Sequence, residues 1–237
     1  MISSSTARRR ALACSLTACI AASLTAAASA GVISVATQFG PNAGTGPGLG
    51  TVSVPAIVTT APNNDNSPTP GAFDNNIVVP IKRFDFSDYI DIEFAVNPSQ
   101  GVTEYQFFES VDNNTGATWK SHTMILGYGV GANFVSSTVG DGLDFDFPNY
   151  DLAPTSSVMP IVGTPNEDTL IFSGGLQGTG AETFQFRIDV PDVTTLPPGF
   201  GRFTLRQFPQ AVPEPATLAL VSLAIAGVAL QGRRRAG

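Results

Sequence analysis

The chain has 237 residues, with 24 Gly and 18 Pro, and only 13% of it is charged, about half the usual share for a soluble domain. A hydrophobic content of 43%, including 16 Phe, is enough to fill a sizeable core and excludes wholesale disorder. Both cysteines, Cys14 and Cys19, lie near the N-terminus and the single histidine is His122, so disulfide staples, thiolate catalysis and His/Cys metal clusters are excluded for the body of the chain.

At the N-terminus, Arg8-Arg9-Arg10 precede an uncharged Ala/Leu-rich stretch from Ala11 to Ala28, closed by Ala28-Ser29-Ala30. Basic residues stay with the anionic inner leaflet, the apolar stretch enters the bilayer, and small residues at Ala28 and Ala30 suit the narrow pockets of signal peptidase. Residues 1–30 therefore read as a secretory signal peptide cleaved after Ala30. A retained helix is the plainer alternative, but the stretch is shorter than the ~20 residues a span needs. Leu16-Thr17-Ala18-Cys19 also resembles a lipobox, which would acylate Cys19, although the apolar run continues into Ile20-Ala21-Ala22 where lipoproteins turn polar. The arginines also resemble a weak twin-arginine signal.

Residues 31–211 read as one exported domain. Over 31–212 there are six Lys/Arg against eighteen Asp/Glu, a net charge of −12, and only Lys82 and Arg83 are adjacent cations. Nucleic-acid binding is disfavoured, because neutralising phosphates needs clustered Lys/Arg. Strand-forming runs occur at 32–39, 51–58, 76–81, 90–96, 102–111, 119–126, 134–139, 170–173, 184–190 and 203–206, with apolar/polar alternation clearest at 90–96, 184–190 and 203–206. Gly, Pro, Asn and Asp clusters separate them, residues 40–50 and 60–75 read as exposed loops, and 191–200 as the connector to the last strand. About ten short strands without an amphipathic helix predict an all-β fold, a two-sheet antiparallel β-sandwich for which a jelly-roll connectivity is one option.

Catalytic constellations are sparse. No Gly-x-Ser-x-Gly elbow is present, and His122, in an alternating run, is expected to be a half-exposed strand residue rather than a general base. Glu104 with Glu109, or Asp88 with Asp91, offer carboxylate pairs of the glycosidase type, yet solvated sheet-edge charges are the simpler expectation. The run 127–131 lacks the Lys and Ser/Thr of a phosphate loop and reads as a turn or bulge. Asn113-Asn114-Thr115 fits a glycosylation sequon but reads more simply as a hairpin turn over 112–116. The best site candidate is the acidic loop 140–151, whose Asp141, Asp144, Asp146 and Asp151 could wrap Ca²⁺ with oxygen ligands, although it is not an EF-hand. No other cofactor is expected.

At the C-terminus, Val212-Pro213-Glu214-Pro215 are followed by uncharged residues from Ala216 to Leu230 and then by Arg233, Arg234 and Arg235. As a helix that stretch covers ~22 Å at ~1.5 Å per residue, a marginal span for a ~30 Å hydrocarbon core. The arginines place this end in the cytoplasm and the rest of the chain outside, while Pro213 and Pro215 keep the preceding segment extended, as a peptidase holds its substrate. This tripartite tail, residues 212–237, resembles the PEP-CTERM sorting signal. The resemblance implies that an exosortase, a membrane-embedded cysteine peptidase of Gram-negative bacteria, recognises and removes the tail and hands the protein to the cell surface or the exopolysaccharide matrix. It implies nothing about the domain delivered.

Two functional classes follow. A non-enzymatic surface or matrix-associated protein accounts for the signals and the acidic β-domain. The alternative is a carbohydrate-binding module using Trp119, Tyr105, Tyr128 or Tyr150 as a stacking platform, discriminated by whether these rings lie exposed on one sheet face. A secreted hydrolase is a distant third.

Overall fold

The computed structural model describes residues 32–35, 44–59, 76–97, 102–148, 150, 152–192 and 201–213. Period-two burial is clearest in residues 76–84, where alternate side chains from Asn76 to Phe84 are buried. In chain order the strands are β1 (Val32–Val35), β2 (Gly44–Thr45), β3 (Leu49–Thr59), β4 (Asn76–Phe84), β5 (Ile90–Asn97), β6 (Val102–Asn113), β7 (Trp119–Tyr128), β8 (Val135–Ser136), β9 (Thr155–Ser156), β10 (Ile161–Asn166), β11 (Thr169–Gln177), β12 (Gly180–Pro191) and β13 (Arg202–Ala211). A 3₁₀ turn, Gly131–Asn133, follows β7 among the described residues. No helix among the described residues is long and apolar enough to cross a membrane, and both the expected leader, 1–30, and the apolar stretch 216–230 lie outside those residues.

Two sheets result. One runs β1-β5-β13-β7-β11-β10, with β2 on β5 and β8 on β7; the other runs β3-β4-β6-β12-β9. Every pairing is antiparallel except β4 with β6, which is parallel in the register Val78 to Phe107 and Lys82 to Val111. The chain leaves β4, crosses to the first sheet as β5 and returns as β6, and such a return restores the original direction. The second sheet is therefore mixed, which corrects the expectation of purely antiparallel sheets and departs from jelly-roll connectivity.

The inward rows of the two sheets meet through aromatic rings. Phe94 of β5 stands edge-on to Phe107 of β6 at 5.8 Å, Phe84 of β4 to Trp119 of β7 at 5.3 Å, and Phe172 of β11 to Phe184 of β12 at 5.0 Å. Each pair bridges the sheets, and edge-to-face geometry suits the ring quadrupoles. Prolines sit where the ladder tolerates them. Pro55 falls in the register shift of β3 between Ser53 and Ala56, and Pro165 in that of β10 between Gly163 and Asn166.

The expected loop 40–50 contains β2 and the start of β3, because a two-residue pairing on β5 leaves little trace in a Gly-rich sequence. β9 and β10 were not signalled, and the run at 134–139 shortens to Val135–Ser136. Residues 112–116 do not form a hairpin: β6 and β7 belong to different sheets, so this segment carries the chain across the sandwich. The glycine run 127–131 is the turn expected of it. A Cβ on Gly127 would stand 2.3 Å from the carbonyl oxygen of Val135, and Gly129 has φ +73°.

Candidate functional site

β13 ends at Ala211 and delivers the chain to Val212 and Pro213 at one end of the sandwich. The Val212 amide donates to the Thr118 carbonyl at 2.7 Å, so the residue just past the strand is still tied down where the proline motif begins. Beside it lies a cleft of about 510 Å³ lined by residues 115–118, Leu176, Val212 and Pro213. Its wall is built by Asn113, whose Oδ1 accepts from the amide and hydroxyl of Thr115 and whose Nδ2 donates to the carbonyls of Ala117 and Gly178. Glu214, Pro215 and Arg233, Arg234 and Arg235 lie outside the described residues, as do Ala28 and Ala30.

Further up the same strand pair, a polar cluster is enclosed between the sheets. Alternation along β4 puts Lys82 on the inward row, and the same rule points Glu109 of β6, His122 of β7 and Gln207 of β13 at it. All four are at most 1% exposed. Lys82 Nζ donates to Glu109 Oε1 and to Gln207 Oε1, both at 2.6 Å. Gln207 Nε2 donates to Glu109 Oε1 at 2.9 Å and Oε2 at 2.8 Å, and His122 Nε2 lies 3.1 Å from Gln207 Oε1. Burial pushes the His122 imidazole down to about 3, with the Lys82 charge adding to the effect against the Gln207 hydrogen bond. The ring is therefore neutral at physiological pH. Bonding to a carbonyl oxygen places its proton on Nε2, leaving Nδ1 without a hydrogen-bond partner. Trp119 stacks on it at 6.0 Å and Phe184 covers it at 5.0 Å. This overturns the half-exposed histidine: the alternation was right, but His122 takes an inward position.

The sheet-edge reading of the carboxylates is corrected as well. Glu109 is inside the sandwich, while Glu104 pairs with Arg187 at 2.6 Å, both side chains nearly inaccessible. Asp91 receives Arg206 Nε at 2.7 Å and Nη2 at 2.8 Å. Only Asp88, of the four, is exposed. These carboxylates are consumed in ion pairs, which a solvated edge does not require.

In the acidic loop, Asp141 Oδ2 accepts from the Tyr128 hydroxyl at 2.9 Å and the Thr138 amide at 3.1 Å, while its Oδ1 accepts from the Leu143 amide at 3.0 Å. Asp144 Oδ1 accepts from the Asp146 amide at 2.7 Å, and Asp151 lies outside the described residues. Among the described residues no group of three or more His, Cys, Asp or Glu side chains is placed to hold a metal ion. Leu143 and Phe145 are buried, so the loop is pinned by its apolar residues as much as by its acids. Desolvation, with Glu167, Asp168 and Asp141 nearby, raises Asp144 from 3.8 to about 6. The fold thus holds more protons than the unfolded chain between those values, and stability falls as pH rises through that window. Asp144→Asn is expected to melt higher than the wild type at about pH 7.5 and to lose that advantage at about pH 3.5, in thermal melts followed by circular dichroism.

The aromatic platform is not assembled. Trp119 and Tyr105 are 0% exposed, with the Trp119 indole N–H donating to Thr115 Oγ1 and the Tyr105 hydroxyl accepting from the Ile33 amide. Tyr128 is also buried, and half-buried Tyr150 donates its hydroxyl to Thr164.

An all-β domain that passes directly from its last strand into a proline-flanked glutamate is the architecture of a folded cargo carrying a terminal address. Residues 211–235 match the PEP-CTERM protein-sorting motif. The chain carries a PEP-CTERM sorting signal, which marks it as an exported, extracytoplasmic protein processed by an exosortase. No curated protein and no solved structure matches the chain.

Proposed function

We propose that the chain is a non-enzymatic surface or exopolysaccharide-matrix-associated protein. Signal peptidase removes residues 1–30, the apolar stretch 216–230 holds the product transiently in the inner membrane, and exosortase then releases the β-domain. The observation that carries this reading is the position of the sorting motif, which begins on the last residue of β13. The peptidase's recognition segment therefore hangs from a folded end, with no domain between. Two features favour a non-enzymatic role over a sugar-binding module or a hydrolase. Of the rings nominated as a sugar platform, Trp119, Tyr105 and Tyr128 are used in the core, and the nominated carboxylates other than Asp88 are engaged in buried pairs.

Intact-mass measurement on surface material from an exosortase-competent host should find both the leader and the segment after Pro215 missing. Replacing Pro213, Glu214 and Pro215 together by alanine should leave the protein full-length at its C-terminus and retained with the inner membrane. A full-length C-terminus on wild-type surface material would refute the sorting route.

A further inference from the structure

The four-residue cluster between the sheets is arranged for a reaction as well as for an ion pair. Lys82 Nζ lies 2.6 Å from Gln207 Oε1, so with a C=O bond of about 1.2 Å the carboxamide carbon is no further than about 3.8 Å away, close to an attack distance. Glu109 accepts hydrogen bonds from both nitrogens that would exchange, Lys82 Nζ at 2.6 Å and Gln207 Nε2 at 2.8 and 2.9 Å. His122 Nε2 donates to the carbonyl oxygen at 3.1 Å, where negative charge would develop. The rings of Phe84, Trp119 and Phe184 keep water from this group, so hydrolysis does not compete. We propose that Lys82 and Gln207 become joined by an intramolecular isopeptide bond, formed within the folded domain with Glu109 as proton relay and His122 as donor to the carbonyl oxygen.

Burial lowers the Lys82 pKa against the opposing pull of Glu109, and at 2.6 Å the ammonium can pass a proton to Glu109 Oε1, which frees the Nζ lone pair. The Nζ lone pair then attacks the Gln207 carboxamide carbon, forming the new C–N bond while the carbonyl π pair moves onto Oε1. Glu109 gives its proton to Nε2 and takes one from Nζ. The pair on Oε1 re-forms the carbonyl as the bond to Nε2 breaks, and ammonia leaves. Ammonia carries off the proton first taken from Lys82, so one ammonium side chain and one primary amide become one secondary amide and an ammonium ion, with the Glu109 carboxylate restored. The Gln207 carboxamide is the electrophile, since its oxygen is held by His122 Nε2, whereas the Glu109 carboxyl carries the proton being relayed.

The chain contains only two lysines, Lys82 and Lys120, which makes the test direct. The full chain, purified folded, is denatured, treated with an amine-reactive reagent, digested and analysed by mass spectrometry. The expected result is a branched peptide joining Lys82 to Gln207, lighter than its two parts by one ammonia, with label on Lys120 and none on Lys82. Linear peptides with a labelled Lys82 from folded protein would overturn the proposal. Glu109→Gln retains hydrogen-bonding capacity but cannot relay a proton, and should give unlinked peptides from a chain that keeps its β-type circular dichroism. A branched peptide at undiminished yield in that variant would remove the relay. Lys82→Arg, whose guanidinium is not acylated, should show no ammonia loss, and persistence of the loss there would place it elsewhere in the chain.

Discussion

Trp119→Ala is expected to lower the unfolding free energy by ~3–5 kcal/mol, the range for emptying a large aromatic site in a close-packed core. The indole is 0% exposed and meets the edge of Phe84 at 5.3 Å and the face of His122 at 6.0 Å. Its N–H donates to Thr115 Oγ1 at 3.1 Å. Truncation therefore leaves a void between the sheets and frees the loop that lines the terminal cleft. Urea unfolding followed by far-UV circular dichroism gives the number, with the midpoint falling and the slope unchanged. Trp119→Phe should cost less, since it keeps most of the ring volume and gives up the hydrogen bond. A midpoint for the alanine variant within error of wild type would mean that the ring is not part of the core.

Asp91→Ala is expected to cost ~3 kcal/mol, at the lower end of the range for removing one partner of a buried ion pair. The carboxylate side chain is fully inaccessible and accepts from Nε and Nη2 of Arg206 together with the Gly131 amide at 2.7 Å. Arg206 is held between the rings of Tyr89 at 4.1 Å and Phe134 at 4.0 Å, so it cannot simply swing into water when its partner is gone. Its 16% exposure is the reason the lower end is chosen. Arg206→Ala combined with Asp91→Ala should cost clearly less than the two single losses added together, because the double variant strands neither charge. Strict additivity would show that the two groups do not interact in solution.

The all-β character and most strand positions were legible because alternation is a local signal: 90–96 and 184–190 became the cores of β5 and β12. What lay hidden depends on register and on which sheet a strand joins. Asp91 faces Arg206 directly across the β5–β13 ladder, a pairing invisible until those strands are known to be neighbours although far apart in sequence. The same holds for Lys82, Glu109, His122 and Gln207, drawn from four strands in two sheets. Each polar residue stood in an inward row of its strand, and that placement was the one available clue; only the assembled fold shows that the four point at one another. The sorting motif was legible because its information is linear, and the match over residues 211–235 needs no knowledge of the fold.

The position of β13 determines how this domain would carry mechanical load. β13 lies inside its sheet, paired with β5 over residues 202–207 and with β7 over residues 204–211. Whatever holds the molecule at residue 213 pulls along the axis of this strand. Tension in that direction strains many cross-strand hydrogen bonds together, whereas an edge strand such as β10 would peel from its neighbour one bond at a time. Resistance to extraction then depends on the rate of forced unfolding rather than on equilibrium stability. A covalent link at Gln207 would pass the force directly to β4 in the opposite sheet, leaving only the few residues between 207 and the tail free to stretch.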